Sequence, residues 1–242
     1  VVHALLSGQE DRAVEIIDTI AMRAIINFDV IKLIHWINAI PDHLLLLRPR
    51  LGIYNAVAYF LLGQYDLAQV NLAKVENIIK TADGVDTADQ EKQALLWEID
   101  AVRAAMEAIA ANHIEGLAAG NHLLADTKKE RDFIYAMLTH AMGMACEILG
   151  KLGEAANVFA TARQYGLTYN YYYGYFHSCV ALADVLLKQG RVNESREEYN
   201  RALDFAIELN LEHATVSLAQ ASLMEIAIEQ NNLPLADKLA KG

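Results

Sequence analysis

One spacing recurs through this chain: a Gly or Asn and, five residues on, a mostly small residue. Gly8…Ala13, Gly63…Ala68, Asn112…Leu117, Gly150…Ala155, Gly190…Ser195 and Asn231…Ala236 all keep it. Gly and Asn tolerate the left-handed backbone that ends a helix. The small residue lets the next helix pack closely on the one just finished. Intervals between these turns are 55, 49, 38, 40 and 41 residues. A helix–turn–helix returning at such a period constrains the chain to an α-solenoid, in which each hairpin buries its apolar stripe on its neighbours.

The composition agrees. The chain has 242 residues, 54% hydrophobic, with only 3 prolines, and β-branched alternation is nearly absent. An all-α protein with an ample core is expected. The net charge of −11 repels phosphate backbones, so no direct nucleic-acid partner is expected. The most apolar stretch, 133–149, is broken by Thr139, His140 and Glu147 and reads as a buried helix rather than a membrane span. Two cysteines, Cys146 and Cys179, without a CxxC, fit a reducing, cytoplasmic setting. The first residue is Val1, which falls near the middle of an expected first helix. The whole of 1–242 therefore reads as a single repeat domain cut from a larger protein.

Apolar periodicity predicts helices at about 9–27, 29–40, 49–62, 64–81, 89–111, 113–125, 132–149, 152–165, 171–189, 192–210 and 213–229, with the start of one more at 233–241. The helix at 29–40, ended by Pro41, accounts for the long first interval. A polar loop at 82–88 with Gly84 accounts for the second. The charge run 128–132 reads as a solvated helix start. Arg48-Pro49-Arg50 has two readings, an anion site or a helix start with solvated arginines.

Around each turn the residues resemble the tetratricopeptide repeat. Gly150 leads to Ala155, Phe159 and Ala162; Gly190 leads to Ser195, Tyr199 and Ala202; Gly63 leads to Ala68, Leu72 and Val75. Ala56, Gly143 and Ala183 supply the small residue expected twelve positions before the turn's own. The resemblance implies a right-handed superhelix of about five to six helical hairpins. A narrower likeness lies in the first 80 residues or so. Leu33…Trp36-Ile37…Ile40-Pro41, then Leu45…Arg48-Pro49-Arg50-Leu51, then Ala58…Gly63…Ala68…Leu72…Glu76 are similar to the start of the helical-repeat sensor domain of MalT-type, large ATP-binding LuxR-family transcription activators. That likeness implies a non-enzymatic sensor, whose ATPase and helix-turn-helix modules lie elsewhere in the parent chain. It also implies an inducer or a peptide or protein partner on the concave face, and self-association on activation. A plain protein-binding scaffold is the alternative.

No catalytic, cofactor or metal motif stands out. There is no GxxxxGK[ST], GxSxG, HxxxH or HxxE, and catalytic zinc usually takes three protein ligands. Cys146, Cys179, Trp36, Trp97, Met137, Met142 and Met144 read as core. The compositional outlier is a tyrosine cluster: five of the 11 tyrosines fall between Tyr169 and Tyr175. Tyrosine offers flat apolar area with a hydroxyl, which suits a ligand, and equally suits packing between repeats. In tetratricopeptide-like superhelices the first helix of each pair lines the groove. Carried over, the pattern places Arg50, Ile53 and Val57 there, then Met137, His140, Met144 and Glu147, then Tyr173, His177, Asp184 and Lys188. The ligand-binding residues expected from this are His140, Met144, Glu147, Tyr173, His177, Asp184 and Lys188. Tyr173 would stack, and the histidines and carboxylates would take hydrogen bonds.

Overall fold

The computed structural model describes residues 1, 3–4, 7–27, 29–45, 47–81, 89–125, 132–209 and 213–241. The expected loop at 82–88 and most of the charge run at 128–132 lie outside them. Among the described residues the structure is helical with no strand. The helices are α1 (Glu10–Ile26), α2 (Val30–Asn38), a short α3 (Asp42–Leu45), α4 (Pro49–Leu61), α5 (Tyr65–Thr81), α6 (Asp89–Ala110) and α7 (His113–Leu124). Then come α8 (Phe133–Ile148), α9 (Leu152–Thr168), α10 (Tyr172–Lys188), α11 (Val192–Glu208), α12 (His213–Glu229) and α13 (Leu233–Lys241).

The chain packs as two compact units, Val1–Leu138 and Thr139–Gly242. In the first, α4 is the central helix, touching α1, α2, α3, α5 and α6, and α6 pairs with α7. In the second, α9 to α13 each pack on the next. Taken unit by unit, this is the consecutive packing of an all-α solenoid.

The turns carry the backbone that the spacing demands. Gly8, Gly63, Gly150 and Gly190 hold φ between +72° and +75°, and Asn231 holds +55°. Behind each, the next amide reaches back to close the helix: Gln64 N–H to Tyr59 O at 2.9 Å, Lys151 to Cys146 at 2.8 Å, Arg191 to Leu186 at 2.9 Å. Asn112 departs from the pattern. Its φ is −120°, and its side chain instead caps α7 by accepting from the Glu115 N–H. A turn that the spacing does not reveal sits at Asn170, with φ +55°.

The repeat positions form the core. Ala56, Ala68 and Leu72 are fully buried in the first unit; Ala155, Phe159, Ala183, Ser195, Tyr199 and Ala202 are in the second. Gly143 is small because α9 needs the space: a Cβ there would stand 2.6 Å from two carbons of the Phe159 ring. The same close approach corrects one boundary. The apolar pattern ends α9 near 165, yet the helix runs on to Thr168. Gly166 is no breaker there; a Cβ on it would meet the Tyr175 backbone N at 2.7 Å. Trp97, Met137 and Met142 are core as expected, whereas Trp36 and Met144 are half-buried and Leu209, at the end of its stripe, is exposed.

Candidate functional site

The seven expected residues stand on two helices and all fall within the second unit, 139–242. Helix α8 supplies His140, Met144 and Glu147; α10 supplies Tyr173, His177, Asp184 and Lys188. Spacings of three, four and seven keep each set on one face. Lys188 is exposed and the other six are half-buried, while residues on the flanking faces of α10, such as Phe176, Cys179 and Ala183, are enclosed. The other proposed groove residues divide. Arg50 is exposed, but Ile53, Val57 and Met137 are buried and line no open surface. Their faces are covered by packing between helices, which spacing alone does not reveal.

Two groups form along the strip. At one end the His140 Nδ1 lies 2.9 Å from the Ser178 Oγ, itself buried. The Tyr173 and His177 ring centroids lie 4.1 Å apart with the planes tilted by 48°, and His140 rests against Phe159 with centroids 5.3 Å apart. Burial pushes the His177 pKa down to about 4, and burial with the neighbouring His177 pushes His140 down to about 3. Both imidazoles are therefore neutral at ordinary pH and offer hydrogen bonds rather than charge.

At the other end, Lys188 Nζ donates to Glu147 Oε1 at 2.5 Å and ties α10 to α8. That bond also raises the Lys188 pKa. The Tyr199 hydroxyl donates to Asp184 Oδ1. Burial raises the Asp184 pKa against the pull of that bond, and Glu147 raises it further. With Lys188 mostly exposed, its ion pair contributes about 1 kcal/mol at most. Tyr173 and Lys188 are fifteen residues apart, about 22 Å along the helix. The structure thus brings together an aromatic–imidazole end and an ionic end, with Met144 between His140 and Glu147 on α8, rather than one convergent pocket.

The tyrosine cluster splits between packing and surface. Tyr171 and Tyr175 are buried, Tyr175 against Phe205 at 4.2 Å, while Tyr172 and Tyr173 are half-buried. Tyr169 belongs to the end of α9, not to α10. Both thiols are enclosed, and burial raises Cys146 and pushes Cys179 up to about 12, so they stay protonated. Among the described residues no three His, Cys, Asp or Glu side chains gather as metal ligands. No described helix is long and apolar enough to cross a membrane.

One feature of the first unit escapes the sequence reading. Arg50 is not merely solvated: its guanidinium donates to Glu98 Oε1 at 2.7 Å, and Glu98 is only 5% exposed. Burial raises the Glu98 pKa to about 7 against the pull of Arg50. The available signal was an acid inside the apolar run Leu95-Leu96-Trp97-Glu98-Ile99.

Residues 176–206, from α10 into α11, match the tetratricopeptide repeat. No curated protein matches the chain. The consecutive helical hairpins and this match support a tetratricopeptide-like helical-repeat domain, an architecture that typically serves as a non-catalytic protein-interaction scaffold.

Proposed function

We propose that this chain is a non-enzymatic sensing and interaction domain that takes an extended partner segment along the α8–α10 face. The observation that carries the reading is the strip itself, which runs about 22 Å from Tyr173 to Lys188, with His140 and His177 toward the first end and Glu147 and Asp184 toward the second. At about 3.3 Å per residue an extended peptide of six or seven residues spans it. The aromatic end is the anchor, because a flat tyrosine beside neutral imidazoles binds apolar and amide surface without a desolvated charge. The ionic end already satisfies itself through Lys188–Glu147 and Tyr199–Asp184 and would set orientation. A binding screen of the chain against a random peptide library tests this. Peptides enriched by the native chain should lose tenfold or more affinity to Tyr173→Ala and His177→Ala variants whose melting is unchanged. Unaltered binding by folded variants would overturn the assignment.

A finer reading makes this the inducer-sensing domain of a MalT-type LuxR-family regulator, acting by relieving inhibition of an ATPase in the same chain and permitting self-association. It is supported by the Trp36…Pro41…Arg48-Pro49 residues and by α2, the additional helix of the first unit. The sequence flanking this chain in its gene tests it: a phosphate-binding loop upstream and a helix-turn-helix downstream are expected, and a gene coding for neither overturns it. The plain scaffold reading accommodates the tetratricopeptide match equally well.

A further inference from the structure

A cavity of about 220 Å³ in the first unit lies between α2, α4 and α5. That is about seven water volumes. Its apolar walls include Ile37, Ile40, Val75 and Ile78, and three asparagines, Asn38, Asn55 and Asn71, come from three different helices to line it. Among the described residues no carboxylate lines it, and the ionisable lining residue, Lys74, is exposed.

The three amides form a directed chain. Asn55, 3% exposed, spends both Nδ2 hydrogens, on Asn38 Oδ1 at 3.0 Å and Asn71 Oδ1 at 3.1 Å. Asn38 Nδ2 donates to the Tyr59 hydroxyl at 2.9 Å, and Asn71 Nδ2 donates to the Leu67 carbonyl at 2.8 Å. Two consequences follow from counting donors and acceptors. Asn38 and Asn71 each retain one N–H and acceptor capacity. The Asn55 Oδ1 is buried without any hydrogen-bond partner, a costly state for a polar atom.

We infer that this cavity is a binding site for a small uncharged carboxamide with a short apolar body, either free or borne by a glutamine or asparagine side chain. A carboxamide both donates and accepts, as the asparagine wall does, and its apolar stem suits the isoleucine and valine walls. A carboxylate only accepts, so it can take the N–H groups that Asn38 and Asn71 retain but leaves their acceptor capacity unused. An ammonium only donates, and no carboxylate on the wall stabilises it.

The test uses the whole ¹⁵N-labelled chain and three probes of one size: butyramide, butyrate and butylammonium. Butyramide should move the side-chain amide signals of Asn38, Asn55 and Asn71 saturably, in the millimolar range expected for about six heavy atoms. Butyrate and butylammonium should bind at least fivefold more weakly. An Ala-Gln-Ala peptide that outcompetes butyramide assigns the amide to a peptide; one that does not assigns it to a free amide. Asn71→Leu should abolish saturation. Asn38→Ala should weaken it severalfold; it unpairs one Asn55 N–H and lowers the melt somewhat, so it is read at a temperature where its amide spectrum is that of the folded chain. Absence of saturation by butyramide, equal or tighter binding of butyrate or butylammonium, or butyramide binding unchanged in folded Asn38→Ala would each overturn the proposal.

Discussion

Single residues at the turns carry a backbone cost that almost nothing else can meet. Gly63 and Gly150 stand at φ +72° and +73°, and no atom lies within 4 Å of where a Cβ would be. A side chain there therefore meets strain rather than collision. Gly63→Val and Gly150→Val should each lose about 1–2 kcal/mol, read as lowered thermal melts. Gly150→Asn should keep most of the native stability, because Asn231 and Asn170 already hold φ +55° in this chain. Equal losses from Val and Asn would show that space, not backbone, governs the position.

Pairs of helices are matched by shape as well as by stripe. Gly143 on α8 faces the fully buried Phe159 ring of α9, so an added methyl can be accommodated only if that enclosed ring shifts. Gly143→Ala should overpack the pair and cost about 1–3 kcal/mol. Phe159→Leu on the Gly143→Ala background should recover part of the loss, and a double-mutant melt no better than additive would exclude the contact as the cause. This hairpin was legible in sequence, since a small residue twelve positions before Ala155 belongs to the repeat pattern. The length of α9 was not. Glycine in an isolated sequence reads as a breaker, whereas Gly166 is helical and admits the Tyr175 backbone.

Across the whole molecule the buried titratable groups act in opposite directions with pH. His140 and His177 have folded pKa values of about 3 and 4, below the ordinary 6.5. Their contribution is complete above about pH 6.5 and is lost as pH falls through 4 to 3. Glu98, raised from 4.5 to about 7, contributes most below about pH 4.5 and loses that contribution as pH rises through 7. Hydrogen exchange should show 139–242 weakening between pH 6 and 4. Over 1–138, Glu98→Gln should flatten the loss seen between pH 5 and 7.5. A pH profile of that segment unchanged by the substitution would mean that Glu98 is not the group responsible.

The repeating Gly/Asn turn, the small and aromatic positions after it, and the near absence of proline were enough to determine an all-α chain of packed hairpins. These are local demands: a left-handed residue ends a helix and a small one admits the next, whatever lies far away. Helical spacing likewise placed His140, Met144 and Glu147 on one face, and Tyr173, His177, Asp184 and Lys188 on another. Tertiary structure decided which faces stay open. It enclosed Ile53, Val57 and Met137, paired Arg50 with Glu98, and assembled Asn38, Asn55 and Asn71 into one amide cluster. Exposure and partnership depend on helices distant in sequence, and periodicity within one helix contains no term for them.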